Sequence, residues 1–465
     1  MRKALALTLI LTLLAGGGLC AAFYAVDRNR DTVELTVSPL AGDPSEAEGL
    51  SAVIHADYDR RLFWDTAFTA GQEGDAQTVF TFEPSRRRYT REYGYPGVRI
   101  DGGLWHLGPE SKHGLGEAYR DLQARTEPNA ERTEIIRVAD YYETYPLAVQ
   151  LDFPNAYVGW EFWDIDDTTD PRFDAERHIL QTFEDCFRIP VLPDEQYEIS
   201  VRLDEKGEIV GSGGGSTAGE AFIMETLSVL TDSACYFTFD AHAGEGTQMD
   251  TSLLTHGYGI YRLPYDKALT ENGDVEGILV DEMTNVFPLD PADVLLDFAQ
   301  SPDGSRLLLH QVRNGAYVLT VIDLHTMTAL QTLSVCDLPA DSYWIGVNRN
   351  EDFLAVLLPG QQLALLAQNA DGTYDLRFLV PVWNGDGDAP FYLEQNTAMA
   401  YDGKRLAAAP VVWNREGVDI RFCLTVYDET GLIYCGEYRS SLETDGNACS
   451  LTDDAPVELR WNTAQ

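Results

Sequence analysis

From Val294 to Gly436 the chain repeats one pattern: short apolar runs of strand length, separated by tight turns. The first copy reads Val294–Gln300, Ser301-Pro-Asp-Gly304, Ser305–His310, Asn314-Gly315, then Ala316 to Leu333 interrupted between Asp323 and Thr328. Such punctuation describes four strands joined by three turns. Two further copies follow. The turn residues Asp303, Glu351 and Asp402 stand 48 and 51 residues apart, and Leu319-Thr-Val-Ile-Asp323 is echoed by Leu424-Thr-Val-Tyr-Asp428. The segments lack a 3.6-residue period, which excludes a helical solenoid. One four-stranded antiparallel sheet cannot cover both of its own faces, so copies must stack side by side.

Ser301-Pro-Asp-Gly-Ser-Arg-Leu307 followed by Val321-Ile-Asp323 resembles the blade repeat of TolB-type and WD-repeat β-propellers over about residues 294–440, without the Gly-His and Trp-Asp signatures of WD repeats proper. The resemblance implies an all-β propeller of four-stranded antiparallel blades and a binding role, and it assigns no reaction.

Ahead of the repeats, Gln196–Leu203 alternates strictly, and Leu227–Phe239 has the form strand, turn, strand. Asp232 lies 71 residues before Asp303, about 20 more than the later period. That blade therefore carries an insertion, at Asp240–Asp250 or at Ala268–Glu276. Residues 27–191 are strand-rich, with helices expected at Gly114–Arg125 and Asp174–Phe187, the latter with Asp174 as N-cap. The expected organisation is a stub at 1–3, an apolar helix at 4–26, this strand-rich region at 27–191, blades at 192–445 and a tail at 446–465.

Arg2-Lys3 precede an uncharged run, Ala4–Val26, long enough to cross a bilayer. As a signal anchor it would leave Arg2-Lys3 in the cytoplasm and export the rest as a single-pass membrane protein. As a cleaved signal peptide, its core would be Ala4–Ala15, broken by Gly16-Gly17-Gly18 and cut near Ala21 or Ala22, giving a secreted chain. Lys and Arg number 33 against 75 Asp and Glu, a net charge of −42. Such a surface repels polyanions, so nucleic acid is excluded as a partner, while cations, cationic proteins and glycans remain open. Six cysteines follow the apolar run. Cys423 and Cys435 flank one hairpin on the same face, and sequence does not choose among the pairings.

Three stretches carry candidate chemistry. Trp160, Glu161, Trp163, Asp164 and Asp166 combine aromatic faces with carboxylates, as sugar sites do. Glu161 with Asp164 or Asp166 would be the carboxylate pair of a glycoside hydrolase. Asn384, Asp386 and Asp388 alternate like a calcium loop, but Ala389 replaces the turn glycine and Gln395 the bidentate Glu. The Gly211–Thr217 run has Walker-like glycines, but Glu220 stands where Lys is required; it reads as a flexible loop. No cofactor other than that calcium ion is implied. The expected function is a membrane-anchored extracytoplasmic propeller that senses, scaffolds or binds a protein or glycan; the alternative is a secreted glycoside hydrolase.

Overall fold

The computed structural model describes residues 2–30, 33–70, 76–85, 96–102, 104, 108–111, 114–159, 171–217, 222–243, 247–339, 344–383, 393–410, 421–441, 450–451 and 457–462. Strands dominate, with four α-helices among the described residues: α1 (Arg2–Arg30), α2 (Leu115–Ala124), α3 (Asp174–Cys186) and α4 (Lys267–Glu271). Within α1, Ala6–Ala25 has a mean hydropathy of 2.1 and is long and apolar enough to cross a membrane, a test that a signal sequence also passes. The helix runs unbroken through Gly16-Gly17-Gly18. The chain divides into two compact units, 92–343 and 1–91 with 344–465.

In the unit 92–343, Val294–Gln300, Arg306–Arg313, Ala316–Asp323 and Thr328–Asp337 pair in sequence order as one antiparallel sheet. This is the strand order of a propeller blade. A second four-strand path runs through Phe222–Leu230, Ala234–Ala243, Gly259–Pro264 and Thr284–Pro288, with Thr247–Gln248 added beside Ala234–Ala243. Its last two strands are separated by the expected insertion, which contains α4 and the 3-10 turns Val275–Gly277 and Val280–Glu282. Two three-stranded sheets complete the unit: Gly97–Gly102, Leu147–Phe153 and Ala156–Val158, and Glu131–Arg137, Gln196–Leu203 and Ile209–Ser216.

Two sequence expectations need correction here. The glycine-rich run is no loop: Gly211 to Ser216 lie in a strand paired with Gln196–Leu203. Its glycines admit bulky neighbours, since a Cβ on Gly214 would fall 2.7 Å from both the Tyr119 hydroxyl and the Tyr197 ring. Helix α3 is capped by Phe173, without a side-chain hydrogen bond, and Asp174 is its first helical residue, paired with Arg177 (Nη1 to Oδ1, 2.6 Å).

In the other unit, Gly346–Arg349, Phe353–Leu358, Gln362–Gln368 and Tyr374–Pro381 form a second sheet in sequence order. The third repeat, Ala398–Tyr401, Leu406–Ala409, Arg421–Asp428 and Gly431–Ser440, gains a fifth strand from the other end of the chain, Leu35–Gly42. Leu35 pairs with Ser440 and Gly42 with Tyr434. Gly42 has φ +71°, and a Cβ there would fall 1.9 Å from the Ile433 carbonyl oxygen, so only glycine fits. The exchange is reciprocal. Leu50–Tyr58, Leu62–Thr69 and Gln77–Phe82 receive Val457–Trp461, with Leu50 opposite Trp461. The stretch 446–465 thus supplies a strand rather than only a tail. Each end of the chain completes a sheet begun at the other.

Two of the recurring turn acids, Asp303 and Asp402, are caps. Asp303 Oδ1 accepts from Ser301 Oγ (2.6 Å) and Ser305 N (3.0 Å), and Oδ2 accepts from Arg306 Nη1 (2.8 Å). Asp402 likewise accepts from the backbone of Lys404 and Arg405. The Ser301 hydroxyl bond, with the Ser305 bonds and Arg306, holds the Asp303 carboxyl well below the usual carboxylate range. A depressed pKa adds stability above the unfolded value of about 3.9 and loses it as pH falls toward the folded value. The side chain is 52% exposed, which screens the effect. Asp303→Ala is expected to cost about 1 kcal/mol at neutral pH. In urea unfolding, the gap between variant and wild type should close in acid; a gap independent of pH would contradict the capping role.

Candidate functional site

The expected site residues Trp160, Glu161, Trp163, Asp164 and Asp166, and the calcium-loop residues Asn384, Asp386 and Asp388, lie outside the described residues. Among the described residues no group of three or more His, Cys, Asp or Glu is arranged to hold a metal ion.

What the described residues do form is a cleft of about 410 Å³ between the first half of α3 and the insertion. Helix α3 is amphipathic: Ile179, Phe183 and Cys186 are buried, while Asp174 and His178 face solvent. The packing follows from aromatic contacts. Phe183 stacks on Phe237, and Phe187, just past the helix, meets Phe237, Phe239 and Tyr261 with ring centroids 4.8–5.7 Å apart. This fixes α3 against Ala234–Ala243 and Gly259–Pro264.

The insertion is tied to the same sheet by the backbone bond from Leu279 N to Pro264 O (3.0 Å) and closed on itself by Asp266 N to Gly277 O (2.8 Å). Asp266 caps α4 through Ala268 N and Leu269 N, and Asp274 caps the next turn through Glu276 N. The two walls meet at His178 Nε2 and Asp281 Oδ1, 2.9 Å apart. Ile179, Ile278 and Val280 make a buried apolar floor. Asp174, Glu276, Asp281 and Glu282 stand exposed around it, and no Lys or Arg lines the cleft. An apolar floor of this size under convergent charges of one sign suits a small ligand or side chain of opposite sign.

Other buried polar groups in this unit are structural. Glu195 accepts from the Tyr145 hydroxyl, which also accepts from Leu192 N (3.2 Å), and the Tyr145 ring stacks on Phe222 at 4.1 Å. Burial first, then the Glu195 carboxylate, pushes the Tyr145 hydroxyl up, so it stays protonated. His310 Nδ1 lies 2.7 Å from the Tyr317 hydroxyl inside one sheet, and its Nε2 faces Asp297 Oδ2 at 3.8 Å. Asp240 lies 3.2 Å from His242 Nδ1 and holds that imidazole above its ordinary pKa.

No family model and no curated sequence matches the chain. Similar solved structures include the β-propeller domain of Cps50 (Swd1) from Myceliophteria thermophila, at 9% identity and TM-score 0.21 over 66% of this chain and 86% of that one. A candidate 6-phosphogluconolactonase of Bacteroides fragilis is 10% identical with TM-score 0.31, covering 90% and 99%. The periplasmic gluconolactonase of Pseudomonas aeruginosa is 12% identical with TM-score 0.26, covering 53% and 64%. At such scores the likenesses carry no argument about activity, and the blade reading rests on the chain's own sheets.

Proposed function

We propose that this protein is a binding module: an all-β propeller tethered by its amino-terminal helix, held outside the membrane, with the α3 cleft as its ligand site. The ligand class that suits the cleft is a cationic head on an aliphatic body, such as a Lys or Arg side chain beside Leu in a peptide. The observation carrying this is the ring of four carboxylates over an apolar floor, with His178 as the one basic side chain among the lining and no Lys or Arg. Arg2-Lys3 ahead of the apolar run favours the exported orientation.

The test uses the full chain in detergent and a labelled peptide of alternating Arg and Leu. Binding is expected to weaken at least about ten-fold in Asp281→Lys/Glu282→Lys and to fall with salt. Glu205→Lys/Glu429→Lys, matched in charge at residues that do not line the cleft, should bind as wild type does. Equal loss in both variants would reduce the effect to net charge and sink the site. Hydrolysis of a glycan, abolished by Glu161→Gln, would instead make the protein an enzyme. Fractionation tests the tether: a mature chain beginning near Ala22 in the culture fluid would replace it with a signal peptide.

A further inference from the structure

We propose that Cys423 and Cys435 are an intramolecular disulfide site, closed while the chain folds. In the register of Arg421–Asp428 against Gly431–Ser440, Cys423 lies opposite Glu437, and Cys435 lies opposite Thr425. The two cysteines therefore share one face as diagonal neighbours on adjacent strands. They are 1% and 0% exposed and form a cluster of their own, packed under Ala41, Leu432 and Trp383. Diagonal Cα atoms stand about 7–8 Å apart, so a bridge needs an inward shift of about 1 Å. The register slip between Val426 and Tyr427, next to this pair, supplies local slack.

The neighbouring Cys423 thiol, with burial, pushes Cys435 far above the ordinary thiol range, so Cys435 is poorly nucleophilic once folded. The bond must form before the face is covered. One thiolate attacks a small disulfide such as oxidised glutathione, giving a mixed disulfide and one free glutathione thiolate. The second cysteine then displaces the second glutathione. Two electrons pass from the cysteine sulfurs to the glutathione disulfide, and the two cysteine protons end on the released thiols. Once closed, the bridge joins Arg421–Asp428 to Gly431–Ser440, the strand that receives Leu35–Gly42 and on which Cys435 pairs with Ala41.

The experiment refolds the full chain in detergent in oxidised or reduced glutathione buffer. Free thiols are blocked under denaturing conditions, and the peptides are mapped by mass. A Cys423–Cys435 crosslinked peptide is expected only from the oxidised sample, with a Tm higher by about 5–10 °C. Cys423→Ser and Cys435→Ser should each abolish both signals. Should one variant fail to fold, the other and the wild-type peptide map still decide. Both cysteines fully blocked after oxidised refolding, or either one joined to Cys449, would overturn the assignment. The readout is independent of cleft binding and of where the protein resides.

Discussion

Trp461→Ala is expected to destabilise the unit that holds both ends of the chain by about 4 kcal/mol, among the largest single-residue losses for a side chain outside the central repeats. Trp461 lies four residues from the end of the chain, where substitutions are ordinarily harmless. Here it is buried opposite Leu50 and belongs to a core with Ala52, Ala407, Phe422 and Tyr438. Its indole Nε1 donates to the Ala400 carbonyl (3.1 Å), and the Arg405 guanidinium sits 4.3 Å from the ring centroid. Arg405 in turn donates to the Glu46 carbonyl (2.8 Å) and pairs with Asp402. One indole thus fastens the sheet of Leu50–Tyr58 to the strand Ala398–Tyr401. Truncation removes packing worth about 3–5 kcal/mol and strands a hydrogen-bond acceptor, losses that overlap rather than add. Trp461→Phe keeps most of the area and should cost about half as much. A two-unit chain need not unfold in one step, so the measurement is amide exchange in Leu50–Tyr58 and Ala398–Tyr401. Unchanged protection there would refute the fastening role.

Why the central repeats were legible and this clasp was not is a matter of range. In Val294–Leu333 every strand pairs with its sequence neighbour, so alternating apolar runs and turn residues hold all the information needed to draw the sheet. The clasp pairs residues about 400 positions apart, Leu35 with Ser440 and Leu50 with Trp461, and nothing local marks Val457–Trp461 as a strand with a partner. The same limit hides the edge of Gly97–Gly102. There Val98 N donates to Ser228 Oγ, Ile100 N donates to Thr226 Oγ1, and Thr226 Oγ1 donates to Ile100 O, side chains standing where a backbone ladder would be. The glycine-rich strand misled for a different reason. Glycines usually signal freedom, but Gly214 is there to let Tyr119 and Tyr197 approach, and those rings come from α2 and from another strand. Of the cleft, each wall was visible and their meeting was not. The excess spacing left the insertion at Asp240–Asp250 or at Ala268–Glu276, of which the structure has the second, and the amphipathic period located α3, but about 100 residues separate the walls.

The meeting of those walls rests on Phe187, and Phe187→Ala is expected to cost about 3–5 kcal/mol and to abolish ligand binding at the cleft. The side chain is fully buried at the end of α3, with the rings of Phe183, Phe237, Phe239 and Tyr261 around it. Tyr261 is the nearest, at 4.8 Å, and Phe239 is met edge to face. Pairs of this kind contribute about 0.5–1.5 kcal/mol each beyond the area they bury, and truncating the shared ring forfeits several at once. Helix α3 has no side-chain N-cap bond to hold its other end, so the packing of Ile179, Phe183 and Phe187 carries its docking. Loosened, it would carry Asp174 and His178 away from Ile278, Val280 and Asp281, dissolving the cleft without touching a lining residue. Phe187→Leu refills much of the volume and should recover part of both stability and binding. The charge-reversed Asp281→Lys/Glu282→Lys variant separates the two effects, since it should lose binding while α3 keeps its exchange protection. If Phe187→Ala lowered α3 protection yet bound the Arg-Leu peptide at wild-type strength, the peptide would be docking elsewhere. The proposed site would then be wrong even though the packing argument held.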